Sequence, residues 1–442
     1  MLTSNCLFDL IIIGCGAAGI GAALQLQKCQ STTRFIILEA RNRAGGRTFT
    51  DTQTFGAKAP VDLGARWLHH YHPDNPFYTY YSPSDKDRID NNTYDRLKTN
   101  TFDTDGKLIP LNLIDEAEII FEQYCTIIEK YPSDKEDISI FDVIRDEYAK
   151  IENEKMRRLV GMCLASIEDH EGANLTEIST KSYEIGEGNI DAPILTISDG
   201  LGSFIKQIVD QNNLPIEFNT VVTQIDISNQ SNRLIHISTL NGRHYSCKYV
   251  LITIPLGCLK AHSIVFMPSI PDWKITAIDK MGFGLLNKIF LQFSSIFWDE
   301  KLQNIDVITN HYYQFYVCIP EARILVLYIA GSHARDLEQQ SDEEIVKTLV
   351  ISLRRIYPLM TDPIKWLVTR WTYDPYSCGS YSYFAVGTDL ETVKDLARES
   401  HDGRVHWAGE HTNYSGSIDY VDSAFESGQR EALRILEKLE QS

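Results

Sequence analysis

Three glycines in Gly14-Cys15-Gly16-Ala17-Ala18-Gly19, and the acid Glu39 twenty residues further on, form the most specific chemical signal in this chain. Between a strand and a helix, such glycines permit a tight turn, close approach of backbone to a pyrophosphate, and close packing of helix on strand. The helix N-terminus adds an anion site. An acid ending the next strand is placed to accept a ribose hydroxyl. Gly14, Gly16, Gly19 and Glu39 therefore predict a dinucleotide site. A second glycine pair follows in Arg41-Asn42-Arg43-Ala44-Gly45-Gly46-Arg47-Thr48. There Gly46 offers another backbone approach to the pyrophosphate, with guanidinium charge beside it. For Arg41 and Arg43 a solvated surface position is an equal alternative.

The elements that must carry these residues follow from periodicity. Asp9–Ile13 is short, continuous and β-branched, as in a buried parallel strand. Ala17–Gln27 then reads as a helix and Arg34–Leu38 as a second strand, completing one βαβ unit. Leu113–Met162 is helical in pattern. Strands are expected at Ile216–Ile227, Leu234–Thr239, Tyr249–Ile254, Lys288–Phe293, Tyr313–Ile319, Ile324–Ala330, Trp366–Trp371 and Val405–Ala408. Helices are expected at Asp342–Tyr357 and from about Tyr420 to Leu439. Nucleotide-type signals at both ends imply a discontinuous cofactor domain with a substrate domain inserted into it.

Composition narrows the class. The 442 residues suit two interleaved domains. A count of 42 basic against 60 acidic residues gives −18, which argues against nucleic acid and favours cationic ligands. The nine cysteines are scattered without a Cys-x-x-Cys pair, so a reducing, cytoplasmic setting is expected. No apolar run approaches the length of a membrane span. His69, His70 and His72 are spaced badly for a tetrahedral zinc site, and no metal is expected.

Further segments carry a family resemblance. Val61-Asp62-Leu63-Gly64-Ala65-Arg66-Trp67-Leu68-His69, Asn219–Ile225, Tyr249–Gly257, Gly282–Lys288, Trp371–Gly387 and Trp407–Thr412 follow the glycine motifs in order. Together they resemble the flavin-containing amine oxidases, and most of all the polyamine oxidases. The resemblance implies an α/β fold, with a Rossmann-like, glutathione-reductase-like FAD domain at 1–75, 194–262 and 388–442. An α+β substrate domain would occupy 76–193 and 263–387. It implies non-covalent FAD, because Ser380 stands where the monoamine oxidases have their flavin-bearing cysteine.

Site roles follow from the same resemblance. Arg47 becomes a phosphate or ribityl contact. Gly64, Ala65, Arg66 and Trp67 run under the flavin ring, and Val222 holds the adenine. Trp371, Gly409 and Glu410 belong to the flavin surroundings, and the amide of Val421 faces the pyrimidine edge. Lys288 would reach a water beside flavin N5; by itself, a lysine at the mouth of an apolar strand is usually a snorkelling surface residue. Tyr381 and Tyr420 match two walls of an aromatic cage that admits a slim alkylamine. His69 matches a position near the substrate amine. Four positions depart from the family: Leu286 replaces an aromatic, His70 a glycine, and Asp422-Ser423 the usual His-Gly. A carboxylate at Asp422 aimed at the flavin would oppose its reduction.

The implied reaction oxidises a C–N bond of a polyamine or acetylated polyamine to an imine, which water hydrolyses to an aldehyde. O2 reoxidises the flavin and yields H2O2. Glu168, Asp169, Glu171 and Glu184 are candidate partners for distal ammonium groups, with a solvated acidic loop as the commoner explanation. Alternatives are a peptidyl-lysine demethylase, an L-amino-acid oxidase, or a non-catalytic relative of the GDP-dissociation-inhibitor kind. Lys288, the tyrosine pair and Gly409-Glu410 argue against the last. The expected partners are a small amine and O2, with no obligate protein partner.

Overall fold

The computed structural model describes residues 7–69, 71–84, 86–90, 96–183, 193–228, 233–415 and 418–441. His70 and Glu184 lie outside them. The chain is mixed α/β with several sheets, two of which build the site.

The first sheet begins with β1 (Leu7–Ile13), whose last four residues are buried, as their continuous apolar run requires. α1 (Ala17–Lys28) crosses to β2 (Phe35–Leu38), which pairs in parallel with β1. On its other side β1 pairs in parallel with His244–Ile252. That strand bonds the antiparallel Ile235–Thr239 along its first half and the parallel Val405–Trp407 along its second. Val222–Asp226 and Val265–Met267 extend the sheet on that side, so one of its strands comes from beyond residue 262. The strand expected at Ile216–Ile227 is two short strands, Ile216–Glu217 and Val222–Asp226. The interruption has a local cause. Asn219 takes a positive φ of 55°, and the amides of Asn219 and Thr220 bond the carbonyls of Arg41 and Glu39 instead of a ladder partner.

The final helix, Val421–Glu440, lies against α1 with almost no side-chain spacer. A Cβ on Gly428 would sit 1.9 Å from the Ala18 carbonyl oxygen, and one on Gly21 2.3 Å from that of Phe425. The two glycines thereby bring both helix backbones together.

The second sheet has six strands in the order Lys365–Val368, Leu286–Gln292, Ile324–Ala330, Tyr313–Ile319, Asn304–Ile308, Thr99–Phe102. Pairing is antiparallel except between the last two. Lys365–Val368 ends before the expected Trp371, because the Asn287 side chain takes over the amide of Trp371. The helical region expected at Leu113–Met162 is three helices, Leu111–Glu129, Ile140–Ala149 and Glu154–Glu171. Ser139 and Asn153 cap the second and third through their side chains. The third runs on to Gly172, whose φ of 65° terminates it, so Glu168, Asp169 and Glu171 lie in its last turn and not in a loop. No described helix is long and apolar enough to cross a membrane.

Candidate active site

The two sheets and the final helix enclose a cavity of about 750 Å³. Every residue assigned above to the cofactor or to catalysis lines it, except Gly19. A Cβ on Gly19 would sit 2.1 Å from the Gly14 carbonyl oxygen, so this glycine serves the close packing of helix on strand.

One end of the cavity suits anions. Gly16, the N-cap of α1, brings no side chain to bond the first-turn amides, which leaves them for a ligand. Glu39 accepts from the amides of Cys15 and Arg41 at 2.7 and 2.8 Å. Burial raises its pKa, against the pull of those amides and of Arg41. Neither Arg41 nor Arg43 is a solvated surface charge. Arg41 pairs with Asp374 at 2.7 Å beside the Tyr376 ring. Arg43 donates to the carbonyls of Ala44 and Gly46 and covers the Phe49 ring, pinning the loop from behind. Arg47 donates to Glu410 at 2.9 Å and to the Ser380 carbonyl at 2.7 Å. Burial acts to raise the Glu410 carboxyl, but Arg47, His411 and the Ser382 hydroxyl outweigh it and hold it at about 2.

Lys288 does not stand at a strand mouth with its head in water. It is the third residue of Leu286–Gln292 and only 3% exposed. Its Nζ donates to the carbonyls of Gly64 and Asp62, at 2.5 and 3.0 Å, and faces the Tyr328 ring at 5.1 Å. Burial lowers its pKa below the ordinary 10.5, while Tyr328 and Asp62 oppose the shift. The snorkelling expectation fails because the Asp62–Gly64 segment covers the sheet face from which Lys288 projects and accepts its ammonium protons.

Tyr381 and Tyr420 are both tied to the last turn of helix Glu154–Glu171. The Tyr381 hydroxyl donates to the Asp169 carbonyl at 3.1 Å, and the Tyr420 hydroxyl lies 3.5 Å from His170 Nε2. The His69 ring packs 4.6 Å from that of Tyr420. Tyr420 is also the N-cap of the final helix and offers no capping side chain. Val421, the first residue of that helix, lies on the cavity wall. The Asp422 carboxylate is not aimed into the cavity; it turns to Asn75, which donates to it at 3.1 Å.

Asp306 was not anticipated from the sequence, although it lines the same cavity and is 2% exposed. Its signal was a single acid in the otherwise apolar Ile305–Ile308.

The chain belongs to the flavin containing amine oxidoreductase family, which matches residues 17–436. Among relatives, it is similar to Polyamine oxidase 2 of Arabidopsis thaliana, 31% identical over 461 residues that cover 97% of this chain and 89% of the relative. Polyamine oxidase 5 of Oryza sativa subsp. japonica is 29% identical over 449 residues, covering 95% and 86%. Lysine-specific histone demethylase 1 homolog 3 of Arabidopsis thaliana is 30% identical over 496 residues, covering 97% of this chain but 30% of that protein. The protein is thus an FAD-dependent oxidoreductase acting on amines. The cavity fits FAD: it joins the glycines at the start of α1, whose N-cap brings no side chain, to Val421 at the start of the final helix, and Arg41, Arg47 and Arg66 line it.

Proposed function

We propose that the chain oxidises a C–N bond of a polyamine or acetylated polyamine, with O2 as acceptor and H2O2 as product. The observation that carries this reading is the desolvated Lys288 ammonium in the same cavity as His69, Tyr381 and Tyr420. FAD when bound supplies the two-electron chemistry. Gly14, Gly16 and Gly46 receive its pyrophosphate, Glu39 its ribose, and Val222 its adenine. Gly64–Trp67 and Trp371 enclose the ring system, and Arg47 and Glu410 hold the ribityl side. The Val421 amide and the helix dipole behind it stabilise negative charge at the pyrimidine edge. Tyr381 and Tyr420 orient a neutral amine, and Lys288 holds or moves a proton near the reacting centre.

In this reading 1–75, 194–262 and 388–442 form a Rossmann-like, glutathione-reductase-like FAD domain. Residues 76–193 and 263–387 form the substrate domain. The described cysteines are all free, which supports a cytoplasmic setting. A peroxide-release screen over spermine, spermidine, their acetylated forms, monoamines and L-amino acids tests the assignment. The reading fails if benzylamine or an L-amino acid is oxidised faster than every polyamine at equal concentration. A methylated lysine peptide in the same screen tests the demethylase alternative, which the third relative's name supports.

A further inference from the structure

One row of the second sheet crosses the floor of the cavity. Lys288 pairs with Tyr328, Tyr328 with Phe315, and Phe315 with Asp306. Directly opposed residues on neighbouring strands point to one face, and all four line the cavity. Strands lie ~4.8 Å apart, so three spacings separate Lys288 from Asp306 by about 14 Å. The floor therefore reads as a cation, two rings, and a carboxylate.

Asp169 looks onto the same space from the last turn of helix Glu154–Glu171. Among the described residues its carboxylate has no hydrogen bond or ion pair, and the charges acting on it, Glu168 and Asp306, are both negative. A desolvated carboxylate with only like charges around it is stabilised when a ligand brings a cation.

We propose that Asp306, with Asp169 above it, binds a second ammonium group of the substrate about 14 Å from Lys288. The site then selects a linear polyamine charged at its far end over one capped there by an acetyl group, and over short monoamines. The rings of Phe315 and Tyr328 lie along the intervening methylenes and favour the chain's positive charge. This rests on the reading that the reacting C–N bond lies at the Lys288 end.

The test uses the holoenzyme as wild type, Asp306→Asn and Asp306→Glu, with retained flavin absorbance as the check on folding. A series of α,ω-diamines of increasing length is assayed by peroxide release, beside spermine and its mono-acetylated form. In the wild type KM should pass through a minimum with length, and capping the far nitrogen should raise it about tenfold or more. Asp306→Asn should raise KM for spermine by a similar factor, flatten the length dependence and abolish the capping penalty. Asp306→Glu should restore a length optimum. A capping penalty that is unchanged in Asp306→Asn overturns the inference and leaves the amine oxidase reading standing. Calorimetric titration with spermine reads the same subsite without turnover. A Kd unaffected by Asp306→Asn therefore overturns the inference even if no amine is oxidised, an outcome that would overturn the functional reading separately.

Discussion

Arg47 and Glu410, 363 positions apart, meet as a 2.9 Å ion pair on the cavity wall. The pair joins the glycine-arginine loop to the segment before the final helix. Its carboxylate is 4% exposed and also accepts the Ser382 hydroxyl.

That pair sets a pH dependence. The Glu410 carboxyl sits at about 2, below its ordinary 4.5. Its contribution to stability is therefore fully present above about pH 4.5 and is lost as pH falls toward 2. Glu410→Gln should lower Tm by a few degrees at pH 7, and the gap to wild type should narrow between pH 5 and 3. A constant gap across that range would refute the assignment.

Lys288→Met should slow turnover by roughly tenfold or more, the lower end of acid–base contributions, while FAD stays bound. Because burial lowers the wild-type pKa, any kinetic limb owed to this ammonium lies below pH 10.5 and should vanish in the variant. Stopped-flow rates of flavin reduction and reoxidation measure it; two unchanged rates would exclude the role.

FAD should leave with acid precipitation, colouring the supernatant yellow. Ser380 bonds both the amide and the carbonyl of Leu286, so it holds the loop in place. The thiol on the cavity wall, Cys258, is pushed by burial up to about 12, which leaves almost no thiolate at neutral pH. Flavin retained in the pellet would contradict this.

Gly428→Ala should destabilise by about 1–3 kcal/mol or more, since the clash is with the Ala18 carbonyl, which is backbone and cannot rotate away. Moving α1 also displaces its N-terminus, so FAD affinity should fall together with Tm. Leu433→Ala, at an exposed position of the same helix, is the control and should behave as wild type. Equal Tm values for the two variants would show that the close approach is dispensable.

What the sequence determined by itself is local. Glycine spacing, β-branched runs and helical periodicity located β1, α1 and β2 to within three residues, and Tyr313–Ile319 and Ile324–Ala330 at both ends. They succeed because backbone period and steric freedom act within a few residues. Tertiary structure decided what depends on distant neighbours. Lys288 is buried because Asp62 and Gly64, 226 and 224 positions away, fold over it and accept from its ammonium. Arg41 leaves solvent because Asp374, 333 positions away, folds against it. Asp422 turns from the cavity to Asn75, 347 positions away. Asp306 faces the row of Lys288 only through three successive strand registers, none of which local spacing encodes.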